Sequence, residues 1–278
     1  MGTLYLVATP IGNLEDISAR ALRLLGDVDL VAAEDTRLTG NLFHHFDIHT
    51  PLTSYFEHNK LAKLDSILAA LEAGDVALVS DAGTPGLNDP GYELVRAALE
   101  AGHRVSPVPG PASPLAALVA SGLPTDSFLY LGYLPRKSSE RKKFLERVAD
   151  LPYTLIFLET PHRLLDALED LAEVLGERQV AVARELTKLH EEIWRGMLGQ
   201  ARLHFKEPRG EFVLVVNGQV SVKNKEWSEE KLVARIKKEI GRKKSAKDLS
   251  SELSEKSGWK KRDVYRLITN GDKEKSHG

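Results

Sequence analysis

The amino-acid sequence predicts an α/β protein of two domains followed by a small helical extension. Short β-rich runs alternate with helix-length amphipathic segments from residue 3 to residue 110. The alternation begins again after a Gly- and Pro-containing joint at 122–127, and beyond Gly218 the pattern turns polar and then helical. Strands alternating with helices imply a largely parallel sheet covered on both faces. With 278 residues, 42% of them apolar and 28% charged, the chain has the composition of an ordinary globular protein with material for a sizeable core. The expected domains are 1–121, 122–220 and 221–278.

In the first domain the strands fall at 4–8, 30–33, 76–80 and 104–108, with a weaker one near 51–54. Helices are expected at 18–25, 60–73 and 92–101, and another starts at Thr36. The helix at 60–73 is the plainest, because Leu61, Leu64, Ile67, Leu68 and Leu71 recur at helical spacing. A helix over 114–121 stops at Gly122 before Pro124. The second domain then reads as strand 128–132, helix 139–149, strand 153–159, helix 163–175 and strand 179–184, followed by strands around 193–196 and 211–217. Only a short helical piece separates the last two, which predicts a mixed sheet with antiparallel members.

The extension carries the charge asymmetry of the chain. Residues 221–278 hold 17 Lys and Arg against 10 Asp and Glu, a balance of +7, inside a chain whose net charge is −2. A basic arm on an acidic body meets nucleic acid or an anionic surface, or is simply a solvated charged tail. Ser228 starts one helix, expected to run through Ile240 and break at Gly241. Ser245 caps a second helix with Leu249 and Leu253 on its apolar side, and Gly258 turns the chain into a third at Arg262. That order resembles a helix-turn-helix with Lys260, Lys261, Arg262 and Arg266 clustered on the later helix; the alternative is a three-helix cap with its lysines in water. Trp194, Trp227 and Trp259 read as packing residues.

With no cysteine, a disulfide framework and a thiolate metal site are excluded and a cytoplasmic home is expected. The first residues are interrupted by Pro10 and Gly12 and read as a strand and turn, and no apolar run approaches the roughly 20 residues of a membrane span. The strand ends of the first domain carry the unusual sequences: Thr9-Pro-Ile-Gly-Asn, Glu34-Asp-Thr-Arg, the long loop Ser80-Asp-Ala-Gly-Thr-Pro-Gly-Leu-Asn-Asp-Pro-Gly and Pro109-Gly-Pro-Ala-Ser. In a parallel sheet all four lie on one edge, where α/β proteins bind ligands. Gly83 and Gly86 allow close backbone approach, while Asp81, Thr84, Asn88 and Asp89 offer polar groups. No Gly-x-Gly-x-x-Gly follows a strand, so a dinucleotide site or an ordinary Rossmann-type methyltransferase site is unsupported, and P-loop, nucleophile-elbow and clustered metal-ligand patterns are missing too.

Five motifs in order do match a known family. Leu4-Tyr-Leu-Val-Ala-Thr-Pro-Ile-Gly-Asn-Leu, Ala33-Glu-Asp-Thr-Arg, Ser80-Asp-Ala-Gly-Thr-Pro-Gly, Val108-Pro-Gly-Pro-Ala-Ser and Arg184-Glu-Leu-Thr-Lys resemble the tetrapyrrole-methylase superfamily, and within it the branch that acts on small-subunit ribosomal RNA. The resemblance spans residues 3 to 217, and the tail is similar to that branch's helix-turn-helix extension. It implies a homodimeric two-domain enzyme that binds S-adenosylmethionine in the cleft between domains. It also implies methylation of the ribose 2′-hydroxyl of a cytidine in the decoding region of 16S rRNA. Where relatives carry a Gly-Asp-Pro loop on the cofactor, this chain has Gly83-Thr84-Pro85, with Asp81 as the candidate replacement carboxylate. The resemblance places Leu87, Pro109, Ala112 and Ser113 on the cofactor from the first domain, and Leu158, Thr160, Ala183, Gly210 and Glu211 from the second.

Such a transfer needs in-line placement and a group that shares the proton of the acceptor hydroxyl. Glu34, Asp35 and Arg37 are the catalytic candidates, the arginine holding a phosphate and a carboxylate acting as base; the alternative is an ion pair capping the helix from Thr36. Tyr55 and His58 are candidates for contact with a flipped-out nucleotide, beside an Asn59 that also reads as a helix cap. Arg163 and Lys188 are candidate RNA contacts, against the alternatives of a helix-start charge and a surface loop. Two rival readings stay open: a methylase of small tetrapyrrole-like molecules, which leaves the +7 tail unexplained, and an RNA-binding assembly factor without chemistry, which predicts degraded cofactor loops.

Overall fold

A computed structural model of the chain describes residues 2–219, 227–239 and 245–275. Two compact units emerge, Met1–Gly218 and Gln219–Gly278.

The first unit holds two five-stranded sheets. Strands β1 (Thr3–Val7), β2 (Leu30–Ala33), β3 (Leu52–Ser54), β4 (Val76–Val79) and β5 (Arg104–Val108) form an all-parallel sheet in the order β3-β2-β4-β1-β5. Each expected strand is present, because strands buried on both faces read as short runs of Val, Leu and Ala. Helices α1 (Ala19–Asp27) and α2 (Thr36–His45) cover one face, where Leu25, Val31, Phe43 and Val79 share a core. Helices α3 (Lys60–Ala73) and α4 (Tyr92–Glu100) cover the other, around Leu4, Ile67, Leu71, Leu78 and Leu94. Leu61, counted with the apolar stripe of α3, is 69% exposed; the stripe drifts out of the core in the first turn.

The second sheet has the order β6-β7-β10-β8-β9, built from β6 (Phe128–Tyr133), β7 (Thr154–Glu159), β8 (Gln179–Arg184), β9 (Glu192–Met197) and β10 (Phe212–Val216). Only β6 and β7 run parallel; β10 pairs antiparallel with β7 and β8, and β8 with β9. The mixed sheet expected from the closely spaced last strands is therefore present. Helices α6 (Ser138–Glu146), α7 (Leu164–Leu175) and α8 (Leu198–His204) pack on one face around Leu145, Phe157, Leu168 and Leu214. The other face is covered by α5 (Ser113–Ser121), whose Ala117 and Leu118 meet Ile156, Ala181 and Val215. The sequence assigns α5 to the first domain; its burial is with the second sheet. Its left-handed terminus at Gly122, φ 78°, is the expected stop.

The second unit is a three-helix cluster of α9 (Glu229–Glu239), α10 (Ala246–Ser257) and α11 (Lys261–Lys275) around Leu232, Ile236, Leu249, Leu253, Val264 and Ile268. The Ser245 hydroxyl accepts from the Asp248 N–H as the expected N-cap, and Gly258, φ 76°, ends α10 in the left-handed region. Ile240 and Gly241, where α9 is expected to stop, lie outside the described residues, as does Ser221, the expected start of the extension. Trp259 donates its indole N–H to the Trp227 carbonyl at 2.6 Å, so both rings serve packing. Among the described residues no helix is long and apolar enough to cross a membrane.

Candidate active site

The carboxyl edge of the parallel sheet gathers its loops through backbone bonds. The Thr9 N–H donates to the Gly83 carbonyl at 2.9 Å and the Gly83 N–H returns to the Thr9 carbonyl at 3.0 Å, which stitches the first loop to the long one. Gly83 has φ 81°, and a β-carbon there would stand 3.3 Å from Ile11 Cγ2. The Thr84 hydroxyl donates to the Pro111 carbonyl at 3.1 Å, tying the long loop to the one after β5. A threonine can make this bond where the acid expected from the resemblance could not: an ionised carboxylate has no proton to offer a carbonyl oxygen. The Asp35 N–H donates to Asp81 at 2.9 Å and the Asp81 N–H to Glu34 at 3.3 Å, joining a third pair of loops.

The opposite wall comes from the second sheet. A bulge between Tyr130 and Gly132 shifts the register of β6, and Gly132 adopts φ 61°. In a regular strand Tyr130 and Tyr133 would face opposite sides; the extra residue turns both toward the same cleft. The Tyr130 hydroxyl donates to Asn88 Oδ1 at 2.6 Å and so pins the long loop, where Asn88 itself holds φ 69°. Gly132 makes room for that contact, since a β-carbon there would meet the Asn88 amide at 2.5 Å.

Between the walls lies a cleft that is partly open to solvent. Its lining includes Glu34, Asp81, Asp89, Glu159 and Glu211 and no lysine or arginine among the described residues. Burial pushes the Glu34 carboxyl up, and neighbouring Asp89, Asp81 and Asp35 add repulsion against a bond from the Asp81 backbone. Asp81 and Asp89 are raised by burial as well, the Ser80 hydroxyl partly offsetting it at Asp89. Burial also raises the Tyr130 hydroxyl, to about 12. Glu159 is raised by burial too; one oxygen accepts from the Thr160 N–H at 2.9 Å and the other has no hydrogen-bond partner. An acidic, partly apolar cleft with two tyrosines favours a cationic ligand with an aromatic or apolar body.

Of the residues expected on the cofactor, Asp81, Gly83, Thr84, Leu87, Ala112 and Ser113 line the cleft from the first wall, and Leu158, Ala183 and Glu211 from the second. Pro109 is exposed and off the lining, Thr160 is half-buried beside Glu159, and Gly210 borders a shallow neighbouring recess with Arg184, Glu185, His190 and Arg209. Sequence reasoning left out Tyr130, Tyr133, Glu159 and Leu186, all on the lining. For the tyrosines the only signal was Gly132 inside a strand, the mark of a bulge.

Among the catalytic candidates the structure separates Glu34 from its neighbours. Asp35 caps α2 by accepting from the Arg37 N–H at 2.8 Å, and the Arg37 guanidinium grips the same carboxylate at 2.6 Å. Arg37, first among its causes, holds Asp35 down to about 2, far too weak a base to share a hydroxyl proton. The helix-capping alternative therefore describes Asp35 and Arg37, while Glu34 stands on the cleft. Tyr55 is corrected outright: it is fully buried in the core between α3, α4 and the sheet, where no nucleotide reaches its ring. His58 is exposed near Phe56. Asn59 stands at the N-cap of α3 as expected, but its side chain makes no capping bond to the helix; it accepts from the Phe56 N–H at 2.8 Å and donates to Ser54 Oγ at 3.1 Å. Arg163 is held by Glu159 at 3.3 Å and by the Leu134 carbonyl, and Lys188 by Glu185 and Glu211 at 3.0 Å each, so both are engaged within the fold. In the second unit Lys260, Lys261, Arg262 and Arg266 are exposed, away from the buried Val264 and Ile268 of α11.

Residues 3–202 match the sequence profile of the Tetrapyrrole (Corrin/Porphyrin) Methylases. The chain belongs to that family. A Synechocystis protein named ribosomal RNA small subunit methyltransferase I is 48% identical over 96% of this chain and 97% of its own length. The protein of that name from Escherichia coli O157:H7 is 53% identical over 78% of each chain. Among solved structures, uroporphyrin-III C-methyltransferase of Thermus thermophilus, complexed with S-adenosyl homocysteine, covers 78% of this chain and 97% of its own, with TM-score 0.55 and 22% identity. That likeness speaks for the shared fold.

Proposed function

We propose that the chain is an S-adenosylmethionine-dependent methyltransferase of small-subunit ribosomal RNA, with the ribose 2′-hydroxyl of a decoding-region cytidine in 16S rRNA as acceptor. The observation that supports the reading is the near-full-length similarity, through the basic extension, to proteins named ribosomal RNA small subunit methyltransferase I. A small-molecule methylase would explain the fold but would leave the +7 extension without a purpose. A homodimer in the cytoplasm is part of the same reading.

The cleft residues fit the cofactor. When bound, it supplies an electrophilic methyl group on a positively charged sulfur, a charge that the acidic lining suits. Gly83 presents no side chain to the cleft, and Ala112, Ser113 and Ala183 add small surfaces that would leave room for the cofactor. Tyr130 and Tyr133 offer apolar faces, and Leu87 and Leu158 exclude water. Glu34 is the candidate to share the acceptor proton, because burial raises its basicity above that of Asp35.

Mass spectrometry of 16S rRNA from a strain lacking this protein tests the reading. We expect one ribose methyl to disappear from the decoding region and to return when the purified protein and S-adenosylmethionine are added to isolated small subunits. A complete set of ribose methyl groups in the deletion strain would sink the RNA assignment.

A further inference from the structure

We propose that the turn at 185–191 is the edge of the cleft that engages the RNA strand beside the target nucleotide, with Leu189 wedged against its bases and Arg209 and His190 on its phosphates. The proposal rests on the RNA reading above and adds to it the surface that receives the strand.

Three observations meet at this turn. It is rigid and strained: Glu185 and Thr187 hold φ 50° and 68°, a region that side chains other than glycine rarely adopt. A dense set of bonds keeps them there. The Glu185 N–H donates to the Glu211 carbonyl and the Glu211 N–H to the Glu185 carboxylate, each at 3.0 Å. Lys188 bridges the same two carboxylates, and the Thr187 N–H donates to Glu191 at 2.7 Å. Gly12 packs so closely that a β-carbon there would lie 2.4 Å from Lys188 Cγ.

What this scaffold presents is Leu189, which is 92% exposed, three residues beyond Leu186 on the cleft lining. An apolar side chain on a well-bonded turn that continues from the cleft lining has the form of a wedge that separates stacked bases. Beside it, Arg184, His190 and Arg209 border a recess whose one acid, Glu185, is already paired with Lys188. Arg184 is occupied by the Arg209 carbonyl and by Glu192, but the Arg209 side chain is 78% exposed and, among the described residues, pairs with the exposed Glu207 at 3.6 Å. A phosphate competes easily with so weak a surface pair. The cleft itself, lined by acids, repels phosphates, so an RNA strand that offers one ribose to it must seat its backbone on the rim.

The test uses small ribosomal subunits from a strain lacking the protein, with tritiated S-adenosylmethionine. Leu189→Ala is expected to slow single-turnover methylation about tenfold or more and Leu189→Met to retain the rate, both with unchanged cofactor affinity by calorimetry. Arg209→Gln should lower the slope of log affinity against log salt by about 1 in filter binding to the same subunits. Wild-type rates and salt slopes in both variants would overturn the proposal while leaving the RNA reading intact. A change confined to the sedimentation of the free protein would overturn it as well, by giving the surface to a second copy of the chain. If the wild type transfers no methyl group to the subunits, the RNA reading fails and this one with it.

Discussion

The two walls of the cleft are built on different principles. The wall from the parallel sheet is held by backbone geometry: the Thr9–Gly83 bridge, a glycine at φ 81° and a loop tied by Thr84 to a carbonyl. The mixed sheet that carries the other wall is braced by charge: Arg163 on Glu159 and Lys188 between Glu185 and Glu211, with Arg141 on Asp170 at 2.6 Å between the helices α6 and α7 that pack on it. The first should fail when a β-carbon is added at Gly83 or when the Thr84 bond to the Pro111 carbonyl is lost. The second, apart from the bulge at Gly132, should fail when one partner of an ion pair is removed.

The largest effect should come from Asp170→Ala. It leaves Arg141, 3% exposed, as an uncompensated buried charge, at a cost of about 3–5 kcal/mol by urea denaturation. Asp170→Asn, which keeps the shape and removes the charge, should cost nearly as much; a harmless Asp170→Asn would mean that packing rather than charge matters at this site. Next comes Gly83→Val, which forces a β-branched residue into left-handed backbone at roughly 1–3 kcal/mol. It should also weaken S-adenosylmethionine binding more than tenfold in calorimetry. Normal binding in a folded variant would remove Gly83 from the proposed cofactor cradle. Thr84→Val keeps the shape and loses one bond to Pro111, about 1 kcal/mol, whereas Thr84→Asp should cost more because carboxylate and carbonyl oxygens repel. A harmless Thr84→Asp would break the account of why this chain departs from its family.

The pH dependence sharpens the same contrast. Glu34, Asp81 and Asp89 have carboxyls raised by burial, so their contribution to stability is fully present below the ordinary carboxylate range and is lost as pH rises through the raised values. Asp35 runs the other way: held down to about 2 by Arg37, it contributes above its ordinary value and loses that contribution as pH falls toward 2. A cation in the cleft relieves the repulsion among the first three. The rise in melting temperature with S-adenosylmethionine should therefore grow from about pH 4.5 to about pH 7, and a flat profile would contradict the proposed seating of its charge. The smallest effect belongs to the extension, where Arg262→Gln with Arg266→Gln should lower the salt slope of RNA binding by about 2 and leave cofactor affinity unchanged.

Much of this architecture is legible in the chain, because strand and helix periods are local. The runs at 30–33, 60–73, 104–108 and 179–184 coincide with their elements to the residue. Glycines at positive φ and polar residues at strand ends mark the first wall for the same reason: a parallel sheet brings all its carboxyl ends to one edge. The sequence by itself thus determined the fold class, the loops that form one side of the site and the family. Only the tertiary structure decided which side chains are free to act. Tyr55 disappears into the core, Lys188 and Arg163 are consumed by partners, Asp35 is taken by Arg37 and α5 covers the second sheet. The bulge in β6 brings Tyr130 and Tyr133 to one cleft. Asp35 with Arg37 and Arg163 with Glu159 are pairs close in the chain, but Lys188 with Glu211 and Tyr130 with Asn88 join distant residues, and register at that range is set by the packing of whole sheets rather than by any local pattern.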